Sequence, residues 1–245
     1  MIKNVFTGLI LMMIISSSLY AQEFLSSHEN MVDQEGRKQG EWVVYDERGV
    51  LKYTGQFRDG APYGTFKYYY AGEKIKAISE FSQNGRVTHT TLFHENGFKM
   101  AEGKYVDQKR DSIWNLYSKW DKNLLVAREI YKNTLREGVW EKYFADGTVA
   151  EEVNYKNNKR NGPWKQYYPD GSIQRKGEYK DDRLHGVMTV YYPDGEVAVS
   201  GTYKNGMKEG IWMYFNAGGE NTHKEEYSNG HLMHSEIYIE EEQPE

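Results

Sequence analysis

The 245-residue sequence predicts an all-β fold, an elongated single-layer antiparallel meander of about eight 24-residue β-hairpins. Three observations lead there. Gly138, Gly162, Gly186 and Gly210 stand 24 residues apart, and the first, second and fourth each open the pattern Gly-x-Trp-x-x-Tyr/Phe. Apolar residues make up 38% of the chain and aromatic ones 15%, with 21 Tyr and 6 Trp. That leaves few aliphatics for a two-layer core and far too many rings for a disordered chain. Finally, the 24 Gly recur with Asp, Asn and Pro in short motifs such as Tyr168-Pro169-Asp170-Gly171, which are built for tight turns.

Taken in order, residues 1–21 read as a secretory signal peptide. A basic start at Lys3 precedes an apolar run over residues 5–15 and a polar exit ending at Ala21. The run is shorter than the ~20 residues that span a bilayer. With no Cys in the chain, the exported protein is not a lipoprotein, and the expectation is a periplasmic, secreted or peripherally envelope-associated protein. Residues 22–39 form a lead-in. The repeat array runs over residues 40–238, with units starting near 40, 64, 88, 112, 138, 162, 186 and 210, and an acidic tail occupies residues 239–245.

Within the array three columns register. Two residues after each start stand Trp42, Phe66, Thr90, Trp114, Trp140, Trp164, Met188 and Trp212. Five residues after it stand Tyr45, Tyr69, Phe93, Tyr117, Tyr143, Tyr167, Tyr191 and Phe215. Near each unit's end stand Phe57, Phe81, Tyr105, Tyr131, Tyr155, Tyr179, Tyr203 and Tyr227. These last two columns are the structural aromatics of the repeat. A three-residue Pro169-Asp170-Gly171 loop sets Tyr168 opposite Ser172 and Tyr167 opposite Ile173. Strict alternation then gathers Tyr167, Ile173, Gly177 and Tyr179 on one face, the expected core face, with Trp164 on the other unless a bulge intervenes. Between units, segments such as Lys204 to Gly210 read as a second, looser turn.

The pattern Gly-x-Trp-x-x-Tyr-x-x-x-Gly, followed by an aliphatic position and a Gly-x-Tyr-x-x-Gly segment, resembles the bacterial variant of the MORN repeat, including YwqK-type antitoxins. The resemblance implies a single-layer hairpin array used for protein interaction or membrane association, and an antitoxin or immunity role as the alternative. Ser79, Ser112 and Asp121 stand where motif glycines are expected, and the unit from 112 to 138 is two residues longer than the others.

The chemistry points away from catalysis. The formal charge of −5 and the absence of a basic stripe argue against a nucleic-acid partner. There is no Cys nucleophile, no Gly-x-Ser-x-Gly elbow and no phosphate-binding glycine loop. Of seven His, the close pair His231 and His234 points to opposite faces of a strand, so no metal or other cofactor is expected. The expected role is a non-enzymatic protein-binding or scaffold module. The candidate interaction surface is Trp114, Lys119, Trp120, Trp140, Trp164 and Trp212, and the expected partner is another protein, with glycan or lipid as lesser possibilities.

Overall fold

The computed structural model describes residues 30–238, so the expected signal peptide and acidic tail lie outside the described residues. Every regular element among those residues is a β-strand, and the two strands of a hairpin pair antiparallel; the short Leu135–Arg136 and Arg183–Leu184 each share a partner strand with the element that follows. The chain divides into two units at Gly97/Phe98. The first contains Met31–Val32, Lys38–Tyr45, Leu51–Arg58, Ala61–Tyr69, Ile75–Ser82 and Val87–Phe93. Its opening strand pairs Met31 with Gln39 and Val32 with Lys38, so the end of the lead-in already belongs to the meander. The second begins at Lys99–Val106 and ends at His231–Ile237, repeating long hairpins such as Lys159–Tyr167 with Ile173–Lys180.

Two kinds of turn alternate, and sequence dictates both. At Tyr168 to Ser172 the loop closes as expected: Tyr168 N–H donates to the Ser172 carbonyl at 2.8 Å, and Gly171 takes φ 85°. Asp170 Oδ1 accepts from the Ser172 amide at 2.8 Å, fixing the bend. The turn between units differs from the looser one expected. Asn205 and Gly206 have φ 53° and 87°, so a two-residue turn with both central residues left-handed joins strands Val197–Lys204 and Met207–Phe215. Asn157-Asn158 and Asp181-Asp182 make the same turn without glycine, because Asn and Asp tolerate that region best among L-residues.

The expected core face is corrected by a bulge. Gln166 pairs with Arg175, but Tyr167 pairs with Ile173, leaving Gln174 as an extra residue. This slip turns Tyr167 and Ile173 to one face while Gly177 and Tyr179 stay on the other, with Trp164. The same slip follows Val44, Tyr68, Leu116, Lys142, Val190 and Tyr214. The core therefore lies on the tryptophan face. Phe66, Trp114, Trp164 and Trp212 are buried there, Trp114 completely.

A single-layer sheet buries a Trp only by laying it on its neighbours. Gly55, Gly103 and Gly201 supply the floor: a Cβ added at Gly103 would stand 2.3 Å from the Trp114 ring, and one at Gly201 would stand 2.1 Å from Trp212. The late-unit aromatics close the sides, with Tyr105 edge-on to Trp114 at 4.9 Å and Tyr203 to Trp212 at 5.0 Å. Contacts of this kind add about 0.5–1.5 kcal/mol each beyond area burial. A column of cations two residues before the unit start closes the top. Arg110 lies 4.5 Å from the Trp114 ring centroid, Arg136 4.6 Å from Trp140, and Lys208 4.4 Å from Trp212. Where the third unit has Thr88 in place of glycine and Thr90 in place of an aromatic, the ladder joining Ile75–Ser82 to Val87–Phe93 keeps one register, whereas the equivalent ladder joining Val197–Lys204 to Met207–Phe215 shifts between Ser200 and Thr202. There Ser79 and Thr90 share a buried hydrogen bond at 2.9 Å.

Candidate functional site

Of the six expected surface residues, three are corrected. Trp114, Trp164 and Trp212 have exposures of 0%, 7% and 3%, because each is packed against a glycine, an aromatic edge or a cation. They form the core and offer no contact surface. Trp140 is half-buried, while Lys119 and Trp120 are exposed. All six lie in the second unit but not in one place.

Trp120 is 81% exposed. It sits in the enlarged loop of the fourth repeat, where Ser118 N–H donates to the Leu124 carbonyl at 2.8 Å, leaving five residues in the loop instead of three. Ser118 Oγ accepts from the Trp120 and Asp121 amides at 3.1 and 3.0 Å, and Asn123 takes φ 64°. Lys119 Nζ lies 5.3 Å from the Trp120 ring. The backbone is thus pinned while the indole projects into solvent.

Around Trp140 the packing rule fails, and a groove of about 300 Å³ opens. Trp114 rests on Gly103, Trp164 leans toward Gly177 on the following strand, and Trp212 rests on Gly201. Trp140 faces Glu129 on one side and Val153 on the other, so neither neighbour lets the ring lie flat. Ala127, Glu129, Arg136, Lys142, Glu151 and Tyr155 join it in the lining. Glu151 is engaged: Lys142 Nζ, Trp164 Nε1 and Gln166 Nε2 donate to it at 2.6, 3.0 and 3.2 Å. Burial alone would push its carboxyl pKa up, but these donors outweigh it and hold it below the ordinary value. Glu129 Oε2 accepts from Tyr131 Oη at 2.9 Å. The Arg136 guanidinium lies over Trp140 and, at 5.3 Å, over Tyr155. Sequence reading missed this groove, although Glu129 in a column of small residues was its signal.

The opposite face is a row of phenols on carboxylates. Tyr117 donates to Glu102, Tyr143 to Glu141 at 2.5 Å and Tyr167 to Glu152 at 2.9 Å. Burial first, and then the adjacent carboxylate, pushes each of these phenols up to about 12. A further set of tyrosines staples successive hairpins: Tyr70, Tyr168 and Tyr192 each donate to a backbone carbonyl 23 residues on, at 2.8 Å. Among the described residues no group of three His, Asp or Glu is placed to hold a metal ion.

The family model for the MORN repeat variant matches residues 38–59, 136–157, 160–181 and 184–205. The chain carries MORN-type repeats. Each matched segment is one hairpin that starts at the cation-column position, namely Lys38, Arg136, Arg160 and, in the last, Leu184. No match to the chain is found among curated proteins. A solved structure with a similar chain is the Photorhabdus luminescens Tc holotoxin pore, at 10% identity. The alignment covers 80% of this chain and 14% of that one, with a TM-score of 0.16.

Proposed function

We propose that this protein is a non-enzymatic protein-binding module of the bacterial cell envelope, exported by its N-terminal segment and anchored to its partner by Trp120. MORN repeats serve generally in protein or membrane binding. The observation that carries the protein-binding reading is the exposure of Trp120 on a pinned, enlarged loop, in a unit whose core tryptophans are buried. A large rigid ring left in water costs solvation free energy, and it becomes a binding hot spot once a partner pocket removes it from water.

Crosslinking co-purification from the native envelope tests this with the tagged chain and its Trp120→Ala variant. A near-stoichiometric protein recovered with the parent and lost with the variant supports the proposal. Equal recovery with both removes Trp120 from the interface. If the captured partner is lethal when produced alone and harmless with this chain, the role is that of an immunity protein, the alternative that the YwqK-type resemblance implies.

A further inference from the structure

The groove at Trp140 has its own charge pattern, independent of the Trp120 loop. Three of the charged pairs at or beside it are internally satisfied: Lys142 with Glu151 at 2.6 Å, Arg128 with Glu141 at 3.1 Å, and Arg160 with Asp182 at 3.3 Å. Two charges remain. Arg136 has no hydrogen-bond acceptor for its guanidinium among the described residues, although rings fix its plane. Its counterparts Arg110, Arg160 and Lys208 all have one, at Tyr131, Asp182 and Tyr214. Glu129 uses one oxygen for the Tyr131 hydroxyl and, among the described residues, has no cation within salt-bridge distance.

Register places the two near each other. Arg136 pairs directly with Tyr131, and Glu129 lies two residues along the same strand, on the same face. Such diagonal neighbours have Cα atoms roughly 7–8 Å apart. The pair is close enough to share one ligand and is not closed into an ion pair. Trp140, Val153 and Ala127 line the same groove and give it an aromatic and aliphatic floor.

We infer that this groove binds a small zwitterion of the short-peptide class. The carboxylate is held by the Arg136 guanidinium, the ammonium by Glu129, and an apolar side chain lies against Trp140 and Val153. A ring-stacked guanidinium suits a carboxylate because its N–H edge stays free for two parallel hydrogen bonds. A volume of about 300 Å³ is at the small end of ligand pockets and fits a dipeptide better than a folded partner.

Titration with leucyl-leucine tests the assignment, read at the Trp140 indole N–H, which donates to the Ile130 carbonyl at 3.0 Å. The expected result is a saturable shift that weakens on the order of tenfold with N-acetylation and again with C-terminal amidation. In Glu129→Gln, the free and acetylated peptides should bind alike. In Arg136→Gln, the free and amidated peptides should bind alike. Trp120→Ala should bind as the parent does, which separates failure here from failure of the envelope-partner reading. No saturable shift in the parent overturns the proposal, as does equal binding of either blocked peptide. If Arg136→Gln fails to fold by near-ultraviolet circular dichroism, Arg136→Lys, which loses the fork but keeps the charge, replaces it, and the gap between free and amidated peptide should then shrink below tenfold; an unchanged gap overturns the guanidinium assignment.

Discussion

Replacing Gly201 by Ala tests the packing rule at its tightest point. The added Cβ would stand 2.1 Å from Trp212 Cδ2 and 2.4 Å from Cε2, both atoms of a rigid indole. Gly201 is not in the left-handed region, so the perturbation is steric and not a backbone effect. Overpacking of a formed core costs about 1–3 kcal/mol. Expelling the ring instead forfeits its burial, for which about 3–5 kcal/mol is the upper bound set by aromatic truncation. Gly177→Ala is the matched control. Its Cβ would stand 3.6 Å from Trp164 and 3.8 Å from Met188, in ordinary contact. That change should be neutral or stabilising by up to about 1 kcal/mol, through loss of unfolded-state freedom. The assay is urea unfolding followed by tryptophan emission, with hydrogen exchange resolving the hairpins, since a repeat array can open locally. Gly201→Ala should lower the midpoint and release exchange in Met207–Phe215 first. Placing Trp212→Met in the Gly201→Ala background should recover part of the loss, since Met188 already sits over Gly177. Equal midpoints for the two alanine variants would refute the glycine-floor argument.

Other consequences are equally direct. Trp120→Ala should shift stability by no more than about 0.5 kcal/mol, because the ring makes few contacts to lose, and thermal melts will show it. In alkali, the folded chain keeps Tyr117, Tyr143 and Tyr167 protonated to about 12, while the same phenols ionise near 10 when unfolded. Their contribution to stability is therefore complete below pH 10 and is lost as pH rises to 12. Glu152→Gln should bring the Tyr167 titration part of the way back toward 10, read by phenolate absorbance; an unchanged titration would leave burial as the whole cause. Ser112 takes φ 60° where most repeats have a left-handed glycine. Ser112→Gly should accordingly raise stability by roughly 0.5–1 kcal/mol in urea titrations.

The parts of the fold that were legible in the sequence are those where one residue type is required. A positive φ favours Gly, Asn or Asp, so the turns at Gly171 and Asn205-Gly206 carry the period, and the period carries the meander. Face assignment was not legible, because the residue extruded by each bulge is not required to be anything. It is Lys52, Lys76, Val126, Ala150, Gln174, Ala198 or Thr222. No composition marks the slip, and a slip of one residue exchanges the buried and solvated faces. The cation column escaped notice for a related reason: Lys and Arg read as solvated charge, whereas Arg110, Arg136 and Lys208 spend their stems and heads covering rings. The same logic separates structural from functional departures. Val153 breaks the glycine column, yet Trp164 stays buried by turning to Gly177, so the array absorbs the change. Glu129 breaks it where no neighbouring glycine can compensate, and the result is a half-exposed Trp140, an opened groove and a guanidinium left without an acceptor. A repeat selected for packing alone would place a small residue at 129, as at 103, 177 and 201. The carboxylate that stands there costs burial of one tryptophan, and the peptide titration tests whether ligand binding is what that cost supports.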